Sequence, residues 1–523
     1  MNKNKNRLIA IILSAFGTIF LIYYIFRASL DIVVSDYIRI INYYLEDVSD
    51  LKYLLSWECI SRIPFTFLAR FINVKLFNYS VNFDRILGLL GLFILNYVTV
   101  SFVLKKIGNK VLKAIASVAV TYIVFSLMSW EMILNGTGYA HFITIGLASV
   151  VFSMLSDDTV GASTASPHFK KQIAICILII ITSLIFGGSY SVSFLCTVIF
   201  FSVIKIIYNF TIWASKNVRA NSEIVGASPQ YIYILISIIC LLCYFKSNST
   251  GEPLIPVGVK DITLIELVRT NPIFPIRFLL KSLASSIIGV ETFDYAIIFG
   301  TIDEKIILLV GTIYLLIIVF VLVLIIKCLL SFKNKRVGAS ANGKTDISEL
   351  PIIYIVYGLA NYALVFLARY SFVRDEYGMS SRYSLQYMFL TLGVILVLFI
   401  TIDKVYEGKN SQTVRSNSQF VGGNFRSPCV VGASTASPHK IALTTICALS
   451  IIFILLGHIT TNTDEIFKAD YRKIAYENLK EKAFKYKELS DEELENLFEY
   501  RRSPEHIKNA LRILQEQHLN IYK

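Results

Sequence analysis

Charge is what this sequence has least of. Only 17% of its 523 residues are Asp, Glu, Lys or Arg, 55% are hydrophobic, and the mean hydropathy is +0.61. Soluble globular domains are more polar than that. The apolar residues come in long runs that hold almost no ionisable residue away from their ends. A buried soluble core would break such runs with turns and charges. The same lack counts against an ion-driven transporter, which keeps titratable groups inside its spans. Asn361 is the main strongly polar side chain within a run, and a single amide there suits an interhelical hydrogen bond. The eight cysteines are scattered without metal-ligand spacing. Cys176, Cys196, Cys240, Cys243 and Cys447 lie inside apolar runs and Cys328 near the end of one, where they act as small hydrophobes. The pair Cys240 and Cys243 has no second pair to complete a metal or redox motif, and Cys59 has no partner on its side of the membrane, so neither a metal site nor a disulfide is expected.

What is present is a succession of membrane-length runs. About twenty apolar residues at 1.5 Å each cross roughly 30 Å of hydrocarbon. The first run, Leu8–Phe26, follows Lys3, Lys5 and Arg7 and is too long for a signal peptide, so it reads as an uncleaved anchor with a cytoplasmic N-terminus. Ten more follow near 86–104, 112–130, 139–156, 173–188, 190–208, 231–245, 305–327, 351–368, 384–402 and 441–459. The expected class is all-α: a polytopic helical membrane protein of about eleven spans. The stretch Arg277–Phe299 reads as an interfacial or re-entrant helix. The formal charge of +13 is spread over short loops assigned to the cytoplasm, for example Lys105, Lys106 and Lys110, or Lys327, Lys333, Lys335 and Arg336. The long loops on the other side are mixed or acidic, as in Glu46, Asp47, Asp50 and Glu58. This is the positive-inside pattern of a membrane protein rather than the footprint of a nucleic-acid binder.

The chain therefore divides into a transmembrane part, 1–460, with extracytoplasmic loops at 27–85 and 246–304, and an extracytoplasmic helical tail, 461–523. The first loop holds two amphipathic patterns, one through Ile40, Ile41, Tyr44 and Leu45, the other through Phe65, Leu68, Ile72 and Leu76 after Ser61 and Pro64. Such helices lie in the membrane interface or plug the extracytoplasmic ends of the bundle. In the tail, Ser490 to Glu493 fits a capping box, and Ser503 before Pro504 starts a helix with Ile507, Leu511 and Leu514 on one face. Some sixty residues could bury only a small core alone. The string VGASTASPH occurs twice, at Val160–His168 and Val431–His439, with VGAS again at Val225–Ser228 and Val337–Ser340. All four fall in cytoplasmic loops at irregular spacing, and possible codons for the string contain an inverted repeat. The expectation is a translated DNA palindrome in loops that tolerate insertion, so His168 and His439 are discounted as ligands.

Polar residues gather at the extracytoplasmic ends of the runs: Asp31, Asp36, Glu58 and Arg62 in the first loop, Trp130 and Glu131 closing the third run, His141 opening the fourth, and Arg369, Arg374, Asp375, Glu376, Arg382 and Tyr383 before the tenth. A carboxylate can take a proton from an acceptor hydroxyl, and an arginine can hold a phosphate leaving group. Against this stands the plainer reading of solvated helix ends with Arg and Tyr anchored at the headgroups.

This layout resembles bacterial multispan glycosyltransferases of the GT-C superfamily, which draw on polyprenyl-phosphate-linked sugars. The position similar to their first-loop acid is Asp36, in Val-Ser-Asp36-Tyr, or Asp31; Ser381-Arg382-Tyr383 at a span entrance is similar to their basic later loops. The stretch from Trp130 and Glu131 to Gly138, and the ending Leu519-Asn-Ile-Tyr, are similar to bacterial surface-polysaccharide membrane proteins. No Asp-Asp or Asp-Glu pair follows the first run, so the choice between Asp36 and Asp31 stays open. The resemblance implies an enzyme that moves a sugar from a lipid carrier to a cell-surface glycan or lipid. Asp36 or Asp31 would be catalytic, and Arg62, Glu131, Arg382 and Tyr383 would bind substrate. A transporter or flippase of the lipid-linked sugar, or a membrane component without catalysis, is the alternative.

Overall fold

The computed structural model describes residues 3–55, 64–157, 166–188, 190–215, 229–248, 259–290, 292–293, 303–336, 349–418, 438–500 and 503–523. The described residues form helices and turns without a strand. The first helix, α1 (Lys3–Ala28), is followed by two short ones, α2 (Asp36–Tyr44) and α3 (Pro64–Phe77). Then come α4 (Val81–Lys106), α5 (Lys110–Val124), the short α6 (Trp130–Leu134) that prolongs it, and α7 (Tyr139–Ser156). Next are α8 (Ser166–Ile180), α9 (Tyr190–Ser215) and α10 (Pro229–Asn248), then the short α11 (Leu264–Thr270) and α12 (Phe274–Ser285). The long α13 (Glu304–Arg336), α14 (Glu349–Arg369), α15 (Ser381–Ser418) and α16 (Pro438–Phe484) lead to α17 (Asp491–Leu497) and α18 (Pro504–Glu516). Among the described residues, eleven stretches are long and apolar enough to cross a membrane, and each run read from the sequence coincides with one. The chain is an all-α, multi-pass helical membrane protein. The stretch from Arg277 begins inside the twelve-residue α12, too short to span. Arg62, with Ser61, Glu58 and Cys59, and most of the VGAS-type tracts, 160–165, 225–228, 337–340 and 431–437, lie outside the described residues.

Small residues set the tightest crossings. A Cβ on Gly91 of α4 would come within 1.9 Å of the Phe142 carbonyl, and one on Gly146 of α7 within 2.5 Å of the Gly91 carbonyl. The two helices thus touch backbone to backbone, as is common where small residues face each other in a membrane. Asn361 is fully buried; it accepts from Ser193 Oγ at 2.6 Å and donates to the Gln386 carbonyl at 3.3 Å, joining α14 to α9 and α15.

Arg27 at the end of α1 pairs with Asp470 of α16 at 2.7 Å, so the start of α1 and the tail lie at opposite ends of the helical bundle. On the N-terminal face Asp403 of α15 accepts from the Gly108 and Asn109 amides at 2.7 and 2.9 Å, and Lys105 pairs with Asp157 at 3.1 Å. On the tail face α16 runs unbroken for 47 residues, through position 460 to Phe484. The tail then caps as its residues dictate. Ser490 and Glu493 close a capping box, and Ser503 Oγ accepts from the His506 amide at 3.3 Å. Its core is not its own. Phe498, Ile507, Leu511 and Leu514 pack in one cluster with Ile32, Ile38, Ile41 and Leu45 of the first loop. A tail too small to bury a core alone shares one with the first loop.

Candidate functional site

Helix α2 begins at Asp36, immediately after Ser35, whose backbone has φ 52° and ψ −120°. A positive φ is uncommon for a residue with a Cβ, and Asp36 follows it directly. Here three residues meet. Glu131, on α6, accepts a hydrogen bond from Arg382 Nε and another from Ser381 Oγ at 3.0 Å. Asp36 Oδ2 lies 4.0 Å from Arg382 Nη1 on the other side of the guanidinium. Arg382 sits in the first turn of α15, and its side chain and that of Asp36 are each 39% exposed. Two carboxylates thus flank one guanidinium at an accessible surface, leaving one negative charge in excess. The arrangement can orient a polar group, accept a proton at Asp36, and offer the planar Arg382 to an oxyanion.

The other sequence candidates lie elsewhere. Asp31 accepts from the Val81 and Asn82 amides at 2.6 and 3.2 Å and from Ser80 Oγ at 2.9 Å. It satisfies the free amides at the start of α4, a structural role. Lys523 reaches it from the tail at 3.3 Å. Tyr383 is turned to a different neighbour, Arg369, whose Nε donates to its hydroxyl and whose guanidinium lies 5.6 Å from its ring. Arg62 lies outside the described residues.

Beside the Asp36 cluster, a small cavity is lined by Tyr37, Arg70, Tyr79, Asp84, Thr137 and Tyr139 among others. Tyr37 donates to Asp84 at 2.7 Å, and Asn73 donates to the other Asp84 oxygen at 3.1 Å. Burial first, and the Asp84 carboxylate second, push the Tyr37 phenol well above its usual pKa, so it stays a donor. The hydroxyl fixes α2 one residue beyond Asp36.

Sequence reading missed the part that α16 plays beneath the cluster. Arg472 stacks its guanidinium 3.3 Å from the Trp130 ring centroid and pairs at 2.8 Å with buried Glu465, which also accepts from Tyr24 at 3.3 Å. Asn462 accepts from Ser126 Oγ at 3.0 Å and the Leu127 amide at 2.7 Å. His458, Asn462, Glu465, Ala469 and Arg472 recur at helical spacing, a signal present in the sequence but hidden by treating everything after 460 as tail.

A second charged cluster holds the approach to Arg382. Asp375 receives Arg277 at 2.6 Å and Lys281 at 2.7 Å, and Glu304 receives the same two cations at 2.6 and 2.5 Å. Burial pushes the Asp375 carboxyl up, but hydrogen bonds from Lys281 and Arg277 outweigh it and hold it below its usual pKa. Among the described residues no group of three or more His, Cys, Asp or Glu side chains could hold a metal ion. No family model matches the chain, and neither a curated protein nor a solved structure matches it.

Proposed function

We propose that this protein transfers a sugar from a polyprenyl-phosphate carrier to a cell-surface glycan or lipid, with the tail face extracytoplasmic. The observation that carries the reading is the meeting of Asp36, Glu131 and Arg382 on that face. The orientation is supported by the Lys/Arg excess in the loops of the opposite face. In the reaction the bond from the sugar's anomeric carbon to the phosphate oxygen breaks, and polyprenyl phosphate leaves with the electron pair. A bond from the acceptor oxygen to the same carbon forms, and the acceptor proton passes to Asp36. Charge grows on the departing phosphate, so a fixed guanidinium stabilises the transition state more than the ground state. Glu131 keeps Arg382 oriented until phosphate competes for it.

The test is surface-glycan profiling of cells that carry Asp36→Asn, Arg382→Lys or Arg382→Ala, with membrane levels of each variant measured alongside. Asp36→Asn should lower product about a hundredfold or more. Arg382→Lys keeps the charge but loses the two-pronged geometry, so output should fall there as well. Normal glycans from Asp36→Asn and Arg382→Ala at normal protein levels would overturn the reading in favour of transport or a purely structural role.

A further inference from the structure

We infer that the tail after Phe484 is the positioning element for Asp36, so that the site is built jointly by this tail and the first loop. It rests on Asp36 belonging to the site, not on which reaction the site performs. Asp36 follows a backbone conformation that a serine does not hold unaided, and the restraint comes from the tail: the Ser35 amide donates to the Phe498 carbonyl at 2.8 Å. The same helix is gripped further along. Asn42 donates to the His506 carbonyl at 2.8 Å and accepts from Asn509 at 2.7 Å, and Gln517 donates to the Leu45 carbonyl at 3.1 Å. Just before it, Asp31 takes Lys523 at 3.3 Å; beyond it, Asn520 binds the Asn78 and Tyr79 carbonyls at 2.8 and 2.9 Å.

These contacts bracket Asp36 from one side, and the shared apolar cluster closes the gap between them. From the other side only Tyr37, through Asp84, ties the start of α2 to a span by a side-chain hydrogen bond among the described residues. The short α2 has nine residues, too few to hold a helix alone in water. Without the tail, Ser35 relaxes to negative φ, α2 swings or frays, and Asp36 leaves Arg382. Glu131 and Arg382 stay paired, because α6 and α15 hold them within the bundle. The tail residues touch no reacting group; they act through Asp36.

The experiment reads proximity, not turnover. Asp36→Cys with Arg382→Cys is treated with a short bifunctional methanethiosulfonate, and the linked peptide is identified by mass spectrometry. A reference pair, Lys105→Cys with Asp157→Cys, sits on the opposite face where the native side chains are 3.1 Å apart. Both pairs should link in the full chain. Adding Leu511→Asp, which puts a charge into the shared cluster, should abolish the 36–382 link and leave the 105–157 link at its original yield. Retention of both links overturns the inference. If Leu511→Asp loses both, the milder Asn509→Ala decides: loss or clear reduction of the 36–382 link alone upholds the positioning role, and any other result assigns the tail to general folding and overturns it.

Discussion

Asp31 and Asp36 share one short segment after the first span, and the sequence offers little to separate them. Both are acidic, both follow an apolar run, and both sit near aromatic residues. Their partners separate them, and those partners lie far away in the chain: Val81 and Lys523 for Asp31, Arg382 for Asp36. The roles differ in a measurable way. Asp31→Ala removes the acceptor for the first amides of α4 and should cost about 1–2 kcal/mol of stability. Asp36→Ala, half-exposed and beside a guanidinium that keeps Glu131, should cost less than about 1 kcal/mol. Thermal unfolding in detergent gives both numbers, and equal losses would remove the distinction. Glu131 and Arg382 were legible for a simple reason: charges at the ends of successive spans come level on one face once the spans are counted. Tyr383 contacts Arg369 rather than Arg382, because neighbours on a helix point about 100° apart.

At the scale of elements, periodicity told where helices form but not which medium they face. In α3 the apolar stripe does not pack inward. Leu68 and Leu76 are 51% and 72% exposed, while Thr66, Arg70 and Asn73 are buried. The helix turns its polar side to the protein, where Arg70 stacks on Tyr44 and Asn73 serves Asp84, and its apolar side outward, as suits a helix bedded in a membrane interface. The link between α12, α13 and the turn before α15 was not legible, because Arg277, Lys281, Glu304 and Asp375 come from three separate stretches of chain. That link has a pH signature. The Asp375 pKa is lower in the folded protein than in the unfolded chain, so the charged form is the one folding favours. Its contribution is fully present above the unfolded value of about 4 and is lost as pH falls through the lower folded value. Asp375→Asn should therefore destabilise by about 2 kcal/mol at neutral pH, with the gap to the parent narrowing on acidification. A gap independent of pH would show that Asp375 works by shape alone.

For the whole molecule, the odd number of spans was readable from run length and loop charge, because the bilayer fixes both. Reporter fusions at residue 409 and at the C-terminus should report opposite sides of the membrane, and the same side for both would undo the eleven-span topology. The union of tail and first loop was hidden, since no local pattern announces that Ile38 and Leu511 will meet across nearly the full chain. That union bears on how the protein is made. The Asp36 segment leaves the ribosome first, and its partners from Phe498 to Lys523 follow only after more than 450 further residues. At 5–20 residues per second, roughly 20–90 s separate the two. During that interval the spans can insert one after another while α2 waits without a surface to fold on. A nascent chain, or one stopped before residue 498, can therefore own all eleven candidate membrane helices and still lack the charged constellation, so that competence arrives only once residues 498–523 are made and shorter products stay silent in the membrane.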